Sequence, residues 1–88
     1  MEQVKLWKLE VQRAFGARVR EIRLSKDITQ EGLALVCGLD RSYLGQVERG
    51  ERNITLENIH RLARGLEVRP HELLLTVGSP VLNGGDSP

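Results

Sequence analysis

The stretch ITQEGLALVCGLDRSYLGQVERG, residues 28–50, decides the fold. Thr29 is a good N-cap for a short helix, because its side-chain oxygen can accept a hydrogen bond from the first turn. Gly38 stands where a tight turn needs a positive φ, and Asp40 can cap the helix that follows. The stretch therefore predicts two short helices joined by a tight turn.

The second of these helices buries only a narrow apolar stripe. Its apolar positions are Leu44 and Val47. The positions expected to face outward are Arg41, Ser42, Gly45, Gln46 and Arg49. Two helices joined by a short turn containing glycine, of which the second exposes a polar face, have the geometry of a helix-turn-helix. The pattern therefore predicts that motif.

Upstream, Phe15, Val19 and Ile22 recur at helical spacing, which predicts an amphipathic helix over residues 13–25. The residues before it form an N-terminal extension, 1–12, in which Trp7 belongs to a similar apolar spacing. The first helix therefore either begins early or follows an extended arm. Trp7 is either a cap on the core or an anchor for a partner.

Downstream, Thr55 is the expected N-cap of a fourth helix that ends with Gly65 at its C′ position, and Pro70 opens a fifth helix. The tail over 78–88 is rich in glycine and proline and lacks helical periodicity, which predicts flexibility. We therefore predict an all-α fold of five helices, with the domain at 13–77.

The composition excludes several functions. The 88 residues suffice for one small domain, and 40 % of them are hydrophobic. Cys37 alone cannot form an internal disulfide and is expected to be a small buried hydrophobe, while His60 and His71 lack partners at metal-ligand spacing. No apolar run approaches the ~20 residues of a membrane span, and no signal peptide is visible, so we expect a cytoplasmic protein. Without a phosphate loop or paired carboxylates, we expect no enzyme activity, cofactor or small-molecule ligand.

Basic side chains are concentrated near the N-terminus. Residues 1–26 carry seven basic and three acidic side chains, whereas the remainder carries six basic and nine acidic ones. This asymmetry permits a surface that faces a polyanion, although scattered charge on solvated helix faces produces the same counts. Charge alone therefore leaves both interpretations open.

Several separated motifs agree in order and spacing, at residues 28–34, 38–44, 47–50 and 54–56. In these motifs the chain resembles the Cro/CI-type (XRE-type) helix-turn-helix regulators of phages and bacteria. The runs at 39–43 and 48–53 look most like the controller proteins of restriction–modification systems.

This resemblance implies a lambda-repressor-like DNA-binding domain. The implied function is that of a sequence-specific transcriptional regulator, which binds double-stranded DNA at a palindromic operator as a homodimer, is associated with the bacterial or phage nucleoid, and controls restriction–modification genes. A second class of function stays open, namely an antitoxin-like or bridging module that mainly holds a protein partner.

The resemblance also implies roles for individual residues. The positions that would contact base edges are Arg41, Ser42 and Gln46, and their chemistry fits, since arginine suits guanine and glutamine can pair with adenine. The positions that would contact phosphates are Thr29, Gln30, Tyr43, Arg49, Arg52 and Asn53. A partly buried ion pair is implied between Arg23 and Glu48. Because the fifth helix has more apolar side chains than it can bury, we predict a dimer interface at Leu73, Leu74, Leu75 and Val77.

Overall fold

The computed structural model describes residues 2–75, with side chains from residue 5 onward. This part of the chain is all-helical, as predicted, and contains no strand. Its elements are α1 (Glu2–Ser25), α2 (Gln30–Cys37), α3 (Arg41–Glu48), α4 (Leu56–Leu66) and a 3-10 helix (Pro70–Leu74).

Helix α1 begins at Glu2, so the apolar spacing before residue 13 belongs to the first helix and not to an extended arm. At 1.5 Å per residue, its 24 residues span about 36 Å. Residues 5–11 of this helix are exposed and lie outside the core, with Leu6 and Trp7 about half exposed. The interpretation of Trp7 as a cap on the core is therefore wrong, and its role as an anchor stays a prediction.

The connections around α2 and α3 follow the predicted turn chemistry. Gly38 ends α2 with a φ of 71°, in the left-handed region, as predicted, and Asp27, two residues after the end of α1, lies in the same region with a φ of 57°. The side chains of Thr29 and Asp40 cap α2 and α3, each by accepting hydrogen bonds from backbone amides of the first turn. These local interactions direct α3 across α2 and define the helix-turn-helix.

Helix α4 is capped by Thr55 as predicted, but the prediction that Gly65 ends it is wrong. Glu67 is the residue that adopts the left-handed conformation there, with a φ of 60°. Gly65 lies inside the helix because α2 packs closely against it, and an added Cβ would overlap Cys37 Sγ. The glycine therefore serves a helix contact and not a turn.

The core is aliphatic except for Phe15 and Cys37. Side chains from all five elements meet in it: Phe15, Val19, Ile22, Leu33, Ala34, Cys37, Leu44, Val47, Leu62, Ala63, Leu66 and Leu73. Helix α1 and helix α3 approach closely at Gly16, where an added Cβ would overlap the carbonyl oxygen of Val47 and lie 2.7 Å from that of Glu48. The second helix of the motif is therefore held against α1 by backbone contact.

The predicted fifth α-helix is a single 3-10 turn that Pro70 opens. Arg18 Nε donates to the carbonyl oxygen of Glu72 at 2.9 Å, which ties this turn to α1. Leu73 is fully buried in the chain's own core, so its predicted place in a dimer interface is wrong. Leu74 and Leu75 are 58 % and 54 % exposed. Val77 and the tail over 78–88 lie outside the described residues.

Candidate nucleic-acid interface

The outward face of α3 brings together the three side chains predicted to contact base edges. Arg41 and Ser42 are exposed in its first turn, and Gln46 is partly exposed one turn later. Gly45, which was also expected to face outward, is buried. A Cβ there would lie 3.3 Å from Arg49 Nη1 and 3.6 Å from Gln30 Oε1, so these two side chains cover the position.

The starts of α2 and α3 differ in charge. The carboxylate of Asp40 accepts hydrogen bonds from the amides of Ser42 and Tyr43, so a negative group closes the start of α3. The neutral hydroxyl of Thr29 accepts from the amide of Gly32. Because helix N-termini attract anions, the start of α2 is the better suited of the two to a phosphate.

A buried ion pair fixes α3 from its inner side. Arg23 Nε and Nη2 donate to the two carboxylate oxygens of Glu48 at 2.6 and 3.0 Å. A third donor of Arg23, Nη1, reaches the carbonyl oxygen of Ile28 at 2.8 Å. Gln30 Nε2 also donates to Glu48 Oε1, at 3.0 Å. The Arg23–Glu48 pair is thus present, and it joins α1, the start of α2 and the end of α3.

This network also changes how Gln30 can act. Its side chain points toward the ion pair, so a phosphate contact at this position would come from the backbone N–H at the start of α2. The sequence does not reveal the inward orientation, because a glutamine in a first helical turn is usually solvated.

The loop after α3 places Arg52 between two predicted contact residues. Its guanidinium lies 5.1 Å from the centre of the Tyr43 ring, and its Nε donates to Gln46 Oε1 at 2.8 Å. The Tyr43 hydroxyl in turn accepts from Asn58 Nδ2 at 3.2 Å. A chain of contacts therefore connects α4 with the outward face of α3, and Asn58 is a member that the sequence interpretation missed.

Arg49 and Glu51 form an exposed ion pair beside this loop. Arg49 Nε and Nη2 donate to the two carboxylate oxygens of Glu51 at 3.1 and 3.3 Å. The hydrogen bond to Glu51, followed by its charge, raises the pKa of Arg49 above its ordinary value. The carboxylate of Glu51 therefore partly balances the positive charge of Arg49, which was predicted to contact a phosphate. The presence of Glu51 directly after Gly50 is the feature of the sequence from which this pair could have been predicted.

The remaining candidate side chains lie apart from this face. Cys37 is buried, and its pKa is raised chiefly by that burial, which keeps it a thiol at neutral pH. His60 and His71 are exposed. Within residues 2–75, no three histidine, cysteine or acidic side chains cluster as metal ligands would, and no helix has the length and hydropathy to cross a membrane.

Comparison with known proteins identifies relatives across most of the chain. A family model described as helix-turn-helix matches residues 19–73. The control protein C.BamHI of Bacillus amyloliquefaciens is 47 % identical over 68 residues, which are 74 % of this chain and 84 % of that protein. The crystal structure of the restriction-modification controller protein C.AhdI from Aeromonas hydrophila superposes with a TM-score of 0.70 at 53 % identity, covering 70 % of this chain and 94 % of that chain. A hypothetical transcription factor from Neisseria superposes with a TM-score of 0.74 at 36 % identity, covering 84 % and 83 %.

Proposed function

Because the chain belongs to the XRE-type helix-turn-helix family, we propose that it is a sequence-specific transcriptional regulator that binds a palindromic operator in double-stranded DNA as a homodimer. It associates with the bacterial or phage nucleoid. Its role is regulatory and not enzymatic. Its similarity to C.BamHI and C.AhdI supports control of restriction–modification genes as its biological role.

The observation that carries this proposal is the two-sided character of α3. Its inner side is held by the buried pair of Arg23 and Glu48, while Arg41 and Gln46 point outward from the same short helix. A helix that presents polar side chains from a fixed support is what insertion into the major groove requires. Arg41 donates to guanine O6 and N7, Ser42 contacts either kind of base, and Gln46 contacts a third base edge.

The phosphate contacts flank this helix in our proposal. At the start of α2 they come from Thr29 and from the backbone of Gln30. Around the loop after α3 they come from Tyr43, Arg49, Arg52 and Asn53. These residues set the position and orientation of α3 on the duplex, and they carry little sequence information themselves.

Binding as a dimer is supported by two apolar side chains at the end of the described chain. Leu74 and Leu75 are about half exposed beside the buried Leu73, so they are available to an apolar surface of a partner. Two-fold pairing places two copies of α3 about 34 Å apart, one turn of B-DNA. Sedimentation tests this interface: the wild type is expected to dimerise and the double variant Leu74→Glu, Leu75→Glu to stay monomeric, whereas equal dimerisation of both would contradict it.

The DNA-binding function is tested by titrating the protein against the region upstream of its own gene and against a scrambled duplex. We expect specific binding that weakens by orders of magnitude between ~50 and ~200 mM salt, because phosphate neutralisation releases counterions. Arg41→Ala should cost about 1–3 kcal/mol of binding free energy and relax preference at one base pair in each half-site. Arg64→Ala, an exposed arginine of α4, is the matched control and should bind as the wild type does. Equal binding to both duplexes at every salt concentration would refute the proposal.

A further inference from the structure

The hydrogen bond between Arg52 and Gln46 determines which end of the glutamine amide faces Arg52. Arginine has donors only, so the amide atom 2.8 Å from Arg52 Nε must be the carbonyl oxygen. The NH2 group of Gln46 therefore points away from Arg52. This orientation follows from the chemistry of the guanidinium alone.

Arg52 is itself held in place. Its guanidinium lies over the ring of Tyr43, and the Tyr43 hydroxyl accepts a hydrogen bond from Asn58 of α4. Tyr43 and Asn58 are both partly buried, unlike the exposed Arg52. The loop arginine thus connects a supported part of the fold to an outward side chain of α3.

We propose that Arg52 is a positioning residue that determines the base preference of Gln46. The inference rests on the proposed function, in which Gln46 contacts a base edge. With its oxygen bonded to Arg52, the amide offers its NH2 group to the groove, and this group donates to an acceptor such as guanine O6 or N7 or thymine O4. A base amine that approaches the same oxygen meets the positive charge of Arg52, which disfavours cytosine and the adenine amine.

This role differs from that of a simple phosphate contact. An arginine that only neutralises a phosphate strengthens binding to every sequence by the same factor. An arginine that orients a neighbouring amide also changes the ratio between sequences, since without it the amide can rotate and accept from a base amine. The sequence predicts that Gln46 can pair with adenine, which uses the amide oxygen as well as the NH2 group. We replace this expectation by donation from the NH2 group alone.

The test is a comparison of four proteins on operators in which each base pair is varied in turn. The proteins are the wild type, Gln46→Ala, Arg52→Ala and the matched control Arg49→Ala, which removes the same charge from a side chain bonded to Glu51. The base pair at which Gln46→Ala loses preference is the one that Gln46 contacts. There we expect the wild type to prefer guanine or thymine to cytosine by about tenfold, and Arg52→Ala to reduce that preference to less than about threefold.

Arg49→Ala is expected to weaken binding to all operators with the preference at this base pair unchanged. The double variant Gln46→Ala, Arg52→Ala should show the same preference there as Gln46→Ala alone, because Arg52 acts through the amide. Thermal melts of Arg49→Ala and Arg52→Ala are expected to match that of the wild type, since both side chains are exposed.

Two results would overturn the inference, and they differ in whether the proposed base contact of Gln46 also fails. If Arg52→Ala weakens every operator equally and keeps the preference at the Gln46 base pair, Arg52 contacts phosphate only, and the proposed function stands. If Gln46→Ala changes no preference at any base pair, the assignment of Gln46 as a base contact fails together with the inference. A DNA-free measurement adds support: the side-chain NH2 resonances of Gln46 should shift in Arg52→Ala and stay unchanged in Arg49→Ala.

Discussion

Substitution of Glu48 by alanine tests how α3 is supported. In the folded chain, the carboxylate accepts two hydrogen bonds from Arg23 and one from Gln30, and both members of the ion pair are almost fully buried. Removal of the carboxylate leaves the Arg23 guanidinium buried, with the carbonyl oxygen of Ile28 as its remaining acceptor in this network. Stranding one member of a buried pair costs about 3–5 kcal/mol.

A loss of this size is a large part of the ~5–15 kcal/mol that stabilises a small domain. Urea unfolding followed by circular dichroism at 222 nm measures it, and we expect the midpoint of Glu48→Ala to fall by at least about 1 M. The double variant Arg23→Met, Glu48→Met should recover most of the loss, because apolar side chains of similar volume often replace a buried pair without cost. A loss below about 1 kcal/mol in Glu48→Ala would refute the argument, since exposed pairs contribute that little.

Three further predictions concern other contacts. Gly16→Ala should destabilise the fold by about 1–3 kcal/mol or more in the same urea assay, because the new Cβ meets the backbone of α3, whereas Ala17→Gly on the exposed side should cost about 1 kcal/mol or less. Glu51→Gln should tighten DNA binding by roughly two- to fivefold in titrations, because it frees the charge of Arg49 for a phosphate; unchanged affinity would show that Arg49 makes no such contact. Burial raises the pKa of Cys37 above its ordinary value of 9.0, so its contribution to stability is present below that pH and is lost above it. The stability difference between wild type and Cys37→Ala should therefore shrink between pH 8 and pH 10.5, and a constant difference would contradict this.

The parts of the fold that could be predicted depend on local chemistry. Thr29, Asp40 and Thr55 are capping residues by virtue of their own side chains, and each caps the predicted helix. Gly38 could be placed at the end of α2 because few residues other than glycine tolerate a positive φ. The end of α4 could not be found in this way, because tertiary packing against Cys37 keeps Gly65 inside the helix and leaves Glu67 in the left-handed conformation.

The candidate site shows the same division. Helical spacing and residue type are enough to single out Arg41 and Ser42 as exposed polar positions at the start of α3. The inward orientation of Gln30 and the bond from Arg52 to Gln46 depend on how α2 and the loop after α3 pack, which no spacing encodes. The prediction that Leu73 lies in a dimer interface was wrong for a related reason. Its side chain is buried in the chain's own core, which the sequence spacing does not reveal.

The residues that hold α3 in the fold are different from those proposed to contact DNA, and this difference has an evolutionary consequence. The anchors of α3, Gly16 and the pair of Arg23 and Glu48, lie on the inner side, whereas Arg41 projects into solvent. Exchanging an exposed side chain usually changes the free energy of unfolding by less than about 0.5 kcal/mol, so a duplicated gene can drift toward a new target sequence while its product stays folded. Gln46 is constrained differently, because its replacement removes the acceptor of Arg52. Diverging copies should therefore exchange these two residues together.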